Sequence, residues 1–425
     1  MHKIKGNPFQ GLLGATLGFF VGFAAVSLFG PTAKLLDQYM MMTATQLGFL
    51  VAMPQLSGSL LRIPFGAWGD TTGGKKPFSI LLIFSAFGMA GLCILLYFIG
   101  LENLTINHYP ILLFLALLCG CGVATFSVGL GQVSYWYPQV KQGWALGAYA
   151  GLGNIAPGLF SYLVPLLIGA LMITGTYLVW LGLLIVGIIV YTLITPNAYF
   201  FQFWKEGKGL SREEAKKQAK EKGQELFPSG KGKETLWAAA KIWQTWPLVI
   251  LYFTTFGGFL ALTTWLPTYW QEYFNKGLKT AGALTMLYSV LASVIRVPGG
   301  ILSDKIGGIK TIFISILILL AGSLLLTFSI GIFPAIIGLI CMSIGMGVNN
   351  AGVFKLVPTY INKAVGGGAG WVGGLGAFGG FVIPPILGYF VDLQGKAGYA
   401  NGFSIFILLS IVSLGCIGLL KRGAN

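Results

Sequence analysis

The stretch SGSLLRIPFGAWGDTTGGKK (57–76) places an arginine late in an apolar run, and the chain contains a second copy of it. RIPFGAWGDTTGGKK (62–76) aligns without gaps to RVPGGILSDKIGGIK (296–310), 234 residues further on. Arg62, Pro64, Gly66, Asp70, Gly73, Gly74 and Lys76 match Arg296, Pro298, Gly300, Asp304, Gly307, Gly308 and Lys310. The same charges and glycines at equivalent places indicate two like halves. Parallel repeats related by an axis along the membrane normal are a transporter plan, with the substrate site near mid-membrane where the halves meet.

Composition agrees with a membrane setting. Of 425 residues 55% are hydrophobic and 9% charged, against roughly 25% charged in an average soluble domain. Apolar runs of about 20 residues, enough to cross a bilayer, recur as in GLLGATLGFFVGFAAVSLFG and GFSIFILLSIVSLGCIGLL. They predict an all-α polytopic membrane protein with helices near 9–30, 45–68, 77–99, 110–137, 143–171 and 175–195, then 244–272, 279–302, 309–330, 332–361, 366–391 and 401–420. The expected organisation is a six-helix bundle over 1–195, a cytoplasmic linker over 196–243 and a second six-helix bundle over 244–425. Inside the linker, SREEAKKQAKEKGQEL has the form of a surface helix with Ser211 and Glu214 as a capping box.

The formal charge of +15 is a topology signal. Lys75, Lys76, Lys141, Lys305, Lys310, Lys363, Lys421 and Arg422 fall on the side of the termini and linker; Lys34, Lys276, Lys279 and Lys396 fall on the other. The positive-inside rule then puts both termini in the cytoplasm of a cell (inner or plasma) membrane protein. No basic stripe alternates with stacking aromatics, so nucleic acid is not an expected partner. The five cysteines all lie in apolar runs, without the spacing of a zinc site or a disulfide framework. The short basic MHKIKGNPFQ runs into apolar sequence with no A-x-A site, so the first run is expected to be a retained helix. No metal, cofactor or enzymatic nucleophile–base set is expected, and a monomer is.

Arg62 and Arg296 each precede an aspartate by eight residues, about 12 Å of helix at about 1.5 Å per residue. That is close to the middle of a hydrocarbon core about 30 Å thick. An ionisable residue at that depth is a functional candidate whose partner should be identified. The twelve carboxylates are Asp37, Asp70, Glu102, Glu272, Asp304, Asp392 and six in the linker, and none maps to mid-membrane. The missing counter-charge is then expected to be an anionic cargo, the alternative being backbone carbonyls or water. Arginine suits it, because its planar fork matches planar oxyanions and stays charged. Lys355, in AGVFKLVP, is a possible auxiliary cation, although its flexible stem equally allows it to reach an interface.

A second repeat pairs GWALGAYAGLGNIAPG (143–158) with GGGAGWVGGLGAFGGF (366–381). Gly143, Gly147, Gly151 and Gly153 match Gly366, Gly370, Gly374 and Gly376, and spacings of four give helix faces along which neighbours can approach or slide. GLGAFG (374–379) fits G-x-G-x-x-G, but no strand precedes it, so it is not a dinucleotide fold.

The loops GAWGDTTGGKK and GILSDKIGGIK resemble the loop motif of the major facilitator superfamily. AGLGNIAPG and GGLGAFGGFVIPP resemble the paired glycine-rich signatures of its nitrate/nitrite porter family, and Arg62 with Arg296 fits that family's anion-binding arginines. The resemblance spans essentially the whole chain. It implies a secondary active transporter of nitrate and nitrite working by alternating access. It also implies substrate-binding roles for Tyr252 and Phe256 on the seventh helix, Phe126 on the fourth and Asn154 in the first signature. Gly147, Gly151, Gly153, Gly370, Gly374 and Gly376, with Asp70 and Asp304, are expected to serve the conformational change. Two departures stand out: Ala156 and Pro157 inside the first signature, and Ala377 where Asn154 should have a twin. Lacking a mid-membrane carboxylate or histidine, the chain leans toward nitrate/nitrite antiport. Proton symport, a porter for a larger organic anion and a non-transporting membrane sensor are the alternatives.

Overall fold

Proline and glycine set the shape of the repeated stretch in the same way twice. In a computed structural model, which describes residues 4–207, 210–228, 232–361 and 364–422, one helix ends at Leu60 and the next begins at Arg62. The second copy breaks equally, between Val294 and Arg296. Pro64 and Pro298 have no amide hydrogen for the carbonyl four residues back, so the ladder loosens at Leu60 and Val294. Both copies end on a glycine in a conformation closed to other residues, Gly73 at φ +85° and Gly307 at φ +89°. The repeat seen in sequence is therefore a repeat of backbone geometry.

In chain order the long helical segments are α1 (Pro8–Ser27), α2 (Ala44–Leu60 with Arg62–Thr72), α3 (Lys75–Ile99), α4 (Ile106–Trp136), α5 (139–171), α6 (173–194), α7 (Thr245–Glu272), α8 (Leu278–Ile306), α9 (Gly308–Phe328), α10 (Ile332–Tyr360), α11 (Val365–Ala377 with Gly379–Gln394) and α12 (Ser404–Arg422). Among the described residues, ten segments are long and apolar enough to cross a membrane, against the twelve expected. The difference has two sources. Gln139–Ile194 counts once, although Met172, at φ 59° and ψ 178°, is not helical and separates α5 from α6. The α2 pieces, of 17 and 11 residues, are divided at Leu61 and do not qualify.

Contacts between the first six and the last six helices are tight near the face opposite the termini. Gly48 of α2 lies against the Pro384 carbonyl of α11, Gly388 against the Ala44 carbonyl, and Gly30 against the Thr264 carbonyl of α7. Asp392 of α11 accepts from the first amides of α2, Ala44 N at 2.7 Å and Thr45 N at 2.9 Å, and so caps that helix from the other half. Helices α5 and α8 cross in a V. Gly282 abuts the Ser161 carbonyl, Gly158 abuts Ser289, and Ser293 donates to the Asn154 carbonyl at 3.0 Å. Continuing toward the termini face, a methyl added at Gly151, Gly147 or Gly300 would meet nothing within 4 Å. On the far side the halves meet closely; toward the termini α5 and α8 part, while α2 and α11 stay in contact at Ile63 and Gly374.

The linker is folded more fully than a flexible tether. Ser211 and Glu214 form the expected capping box on the helix Arg212–Glu221. Gln139 N donates to Glu225, and Trp371 of α11 donates through Nε1 to the Leu236 carbonyl at 2.9 Å. The helix Gly232–Ala240 thus packs on α11 and also on the Arg62–Thr72 piece of α2. Lys363 and both chain ends, 1–3 and 423–425, lie outside the described residues.

Candidate anion-binding site

Arg62 begins the second piece of α2, and its side chain runs back along the helix. Its Nε donates to the Gly58 carbonyl at 3.1 Å, and Nη1 donates across to the Gly373 carbonyl of α11 at 3.2 Å. The residue is 1% exposed. Among the described residues its hydrogen-bond partners are these two neutral carbonyls, and Nη2 has none. A buried guanidinium held only by carbonyls keeps an uncompensated positive charge, the costly arrangement that a ligand would relieve.

The aromatic residues gather around this charge. The Arg62 Cζ stands 4.9 Å from the Phe126 ring centre and 5.1 Å from that of Phe256. Arg296 approaches Phe256 as well, at 5.0 Å, and donates to the Tyr252 hydroxyl at 3.5 Å. Sharing one ring bounds the separation of the two guanidinium carbons at about 10 Å. Tyr252 and Phe256, four residues apart on α7, stack at 4.8 Å, and Phe126 stacks on Phe256 at 6.2 Å. Five of the six expected substrate residues therefore form one cluster at the junction of α2, α4, α7, α8 and α11. Arg62 is buried and Arg296 half-buried.

Asn154 has different company. It is fully buried, but Nδ2 donates to the Ala150 carbonyl at 2.6 Å and its own carbonyl accepts from Ser293, one turn before Arg296. These bonds belong to the α5–α8 crossing. Its Oδ1 has no partner among the described residues.

Lys355 does not reach the cluster. Its Nζ pairs with Asp304 at 2.6 Å and donates to the Ser303 carbonyl at 2.7 Å, tying α10 to the end of α8. In the other half Asp70 accepts from the Tyr135 hydroxyl at 2.6 Å, tying α2 to α4.

The glycine faces divide. Gly153 receives the Phe19 ring, Gly374 receives Ile63, Gly376 receives Tyr252, and Gly370 lies near Leu236. At Gly147 and Gly151 the close approach anticipated from sequence is missing, because α5 and α8 diverge there.

Four contributors had not been singled out. The Gly373 carbonyl orients Arg62; Ser127 donates to the Arg62 carbonyl at 2.9 Å; Tyr149 donates to the Phe126 carbonyl at 3.0 Å; and Phe354 meets Tyr252 edge-on at 5.0 Å. Gly373 and Tyr149 sit inside the repeated glycine-rich stretches and Phe354 beside Lys355, so the motifs held the signal without saying which atoms would matter.

Comparison with known proteins agrees with this geometry. The family model of the Major Facilitator Superfamily matches residues 15–384, with a second match over 275–423. The probable nitrate/nitrite antiporter NarK1 of Thermus thermophilus is 30% identical over 97% of this chain and 91% of its own. The chain belongs to the nitrate/nitrite porter family of the major facilitator superfamily. Another member of that porter family, the probable nitrate transporter NarT of Staphylococcus aureus (strain MRSA252), is 32% identical over 99% of this chain and 96% of its own. The fold is also that of the superfamily: the xylose transporter XylE from E. coli superposes with a TM-score of 0.70 over 98% of this chain and 99% of that one, at 15% identity. The family's members are transporters, so the arginine pair stands within a porter fold.

Proposed function

We propose that this porter exchanges nitrate and nitrite across a cell membrane. The observation that carries the reading is the Arg62 guanidinium: buried, held by two carbonyls, with Nη2 unpartnered among the described residues and a second arginine against the same Phe256 ring. An oxyanion seated between Arg62 and Arg296 accepts charge-assisted hydrogen bonds from both. Tyr252 adds a hydroxyl donor, Phe126 and Phe256 form the walls, and Asn154 adjoins from the α5–α8 crossing. The relatives named for nitrate and nitrite transport support this choice of anion.

In this reading the halves 1–195 and 244–425 rock about the site, the lysine-rich face is cytoplasmic, and α5 and α8 part on that face. Closure there brings the Gly147 and Gly151 face of α5 onto α8. The Lys355–Asp304 and Tyr135–Asp70 ties hold α8 and α2 to their own halves while this occurs. A single chain contains the whole site, so a monomer suffices.

The test is counterflow. Proteoliposomes loaded with nitrite should accumulate labelled nitrate without a proton gradient and with little change between pH 6 and 8, and Arg62→Lys and Arg296→Lys should each lose most of it. Full uptake by both variants, or uptake of carboxylates in place of nitrate, would overturn the proposal.

A further inference from the structure

Two turns before Arg62, α2 carries a second polar group with nothing to bond. Gln55 is 0% exposed, and neither its Oε1 nor its Nε2 has a hydrogen-bond partner among the described residues. A buried amide with neither end satisfied is costly and calls for an explanation. Its surroundings place it between the halves. A methyl group on Gly380 of α11 would come within 3.2 Å of Gln55 Cγ and 2.7 Å of Leu260 Cβ. Leu260 follows Phe256 by one turn on α7, so Gln55 lies next to the Arg62–Phe256 cluster on the side toward the closed face.

Spacing adds to this. Residues seven apart on a helix share a face. The Arg62 side chain also runs back toward Gln55, since its Nε meets the Gly58 carbonyl. Seven residues correspond to about 10 Å along the axis at about 1.5 Å per residue. The unpartnered Nη2 and the unpartnered amide are thus successive positions on one face of α2.

We propose that Gln55 is a second oxyanion-binding position, which takes the ion from the arginine clamp as the path opens toward the closed face. The inference rests on the nitrate/nitrite reading above. The amide offers two N–H donors and no charge. It holds an oxyanion in place of water but does not trap it as a third cation would. Passage from a doubly charged clamp to a neutral donor and then to solvent divides the release into smaller steps.

Wild type, Gln55→Leu and Gln55→Glu should be compared by nitrate titration calorimetry in detergent and by nitrite-loaded nitrate counterflow between pH 5 and 8. Gln55→Leu should bind nitrate within twofold of wild type yet exchange at least tenfold more slowly. Gln55→Glu should lose exchange at pH 8, where its carboxylate repels the ion, and regain it toward pH 5 on protonation. Wild-type exchange by Gln55→Leu, or a pH profile of Gln55→Glu parallel to wild type, overturns the assignment. If Gln55→Leu fails to fold, the Gln55→Glu profile decides. A wild-type protein that neither binds nor exchanges either anion overturns the nitrate/nitrite reading itself; normal wild-type exchange with an indifferent Gln55 overturns only this inference.

Discussion

Replacing Arg62 separates a ligand-binding arginine from a structural one, because the two roles predict opposite effects on stability. Of five N–H groups, Nε–H and one on Nη1 are engaged by the Gly58 and Gly373 carbonyls, and both on Nη2 remain free among the described residues. In Arg62→Lys one ammonium must serve the Gly373 carbonyl and the anion together, and at least one charge-assisted bond is lost, about 1.5–3 kcal/mol. Losing a flat cation against Phe126 and Phe256 adds about 0.5–1 kcal/mol. The sum, about 2–4 kcal/mol, corresponds to a roughly 30- to 1,000-fold weaker nitrate affinity. Arg62→Met keeps similar volume and removes the charge. No acid pairs with Arg62 among the described residues, so Met removes a desolvation cost without stranding a carboxylate, and the unliganded protein should melt at or above the wild-type temperature. Calorimetric nitrate titration and thermal unfolding in the same detergent measure both quantities. An Arg62→Met protein that binds nitrate normally but melts well below wild type would refute the reasoning.

Three further outcomes follow from the same geometry. Gly151→Leu places a side chain where α5 and α8 now stand apart; nitrate affinity should stay within twofold while counterflow falls at least tenfold, since closure on the termini face is obstructed. Lys355→Met should leave nitrate affinity within twofold, because Nζ is committed to Asp304 and the Ser303 carbonyl; a tenfold loss of affinity would return Lys355 to the site. Asp37 lies in the short helix Ala33–Met40, where burial raises its carboxyl above the usual range, partly offset by the Met42 amide and reinforced by nearby Glu272. A raised acid stabilises the fold below its unfolded value of about 3.9 and loses that contribution as pH rises through the folded value. Asp37→Asn should therefore be the more stable protein at pH 7, with the difference vanishing near pH 3 in thermal unfolding.

The parts of the site that sequence revealed are those whose physical cost is visible without coordinates. A guanidinium at mid-membrane is expensive wherever it points, so Arg62 and Arg296 were legible from depth and the count of carboxylates alone. The break before each arginine was implicit in Pro64 and Pro298 but showed itself only as geometry. Lys355 was ambiguous because its partner, Asp304, lies 51 residues away and meets it only through the packing of α8 on α10. The glycine face of α5 was legible as a pattern, whereas its contacts depend on how far α5 and α8 stand apart. Gln55 carried no signal, since a single amide in an apolar run is common; only the absence of partners around it among the described residues makes it unusual.

Charge at the site bears on why an exchanger would use two arginines. At an effective dielectric of about 20, two unit charges about 10 Å apart repel by about 1.7 kcal/mol, and bringing them to about 7 Å adds only about 0.7 kcal/mol. Repulsion alone therefore hinders closure of an empty site about threefold, too little to enforce exchange. A monovalent anion midway changes the balance. Its attraction to each arginine deepens from about 3.3 to about 4.7 kcal/mol over the same movement, a gain of about 2.8 kcal/mol for the pair. Occupied and empty sites then differ about a hundredfold in their tendency to close, and all of that comes from attraction to the cargo, since the repulsion is common to both. The two walls of that clamp belong to different halves, Arg62 with Phe126 from the first and Arg296 with Tyr252 and Phe256 from the second. In the proposed mechanism the anion's pull is thus exerted across the interface that moves, and either nitrate or nitrite, each carrying one negative charge, exerts it equally.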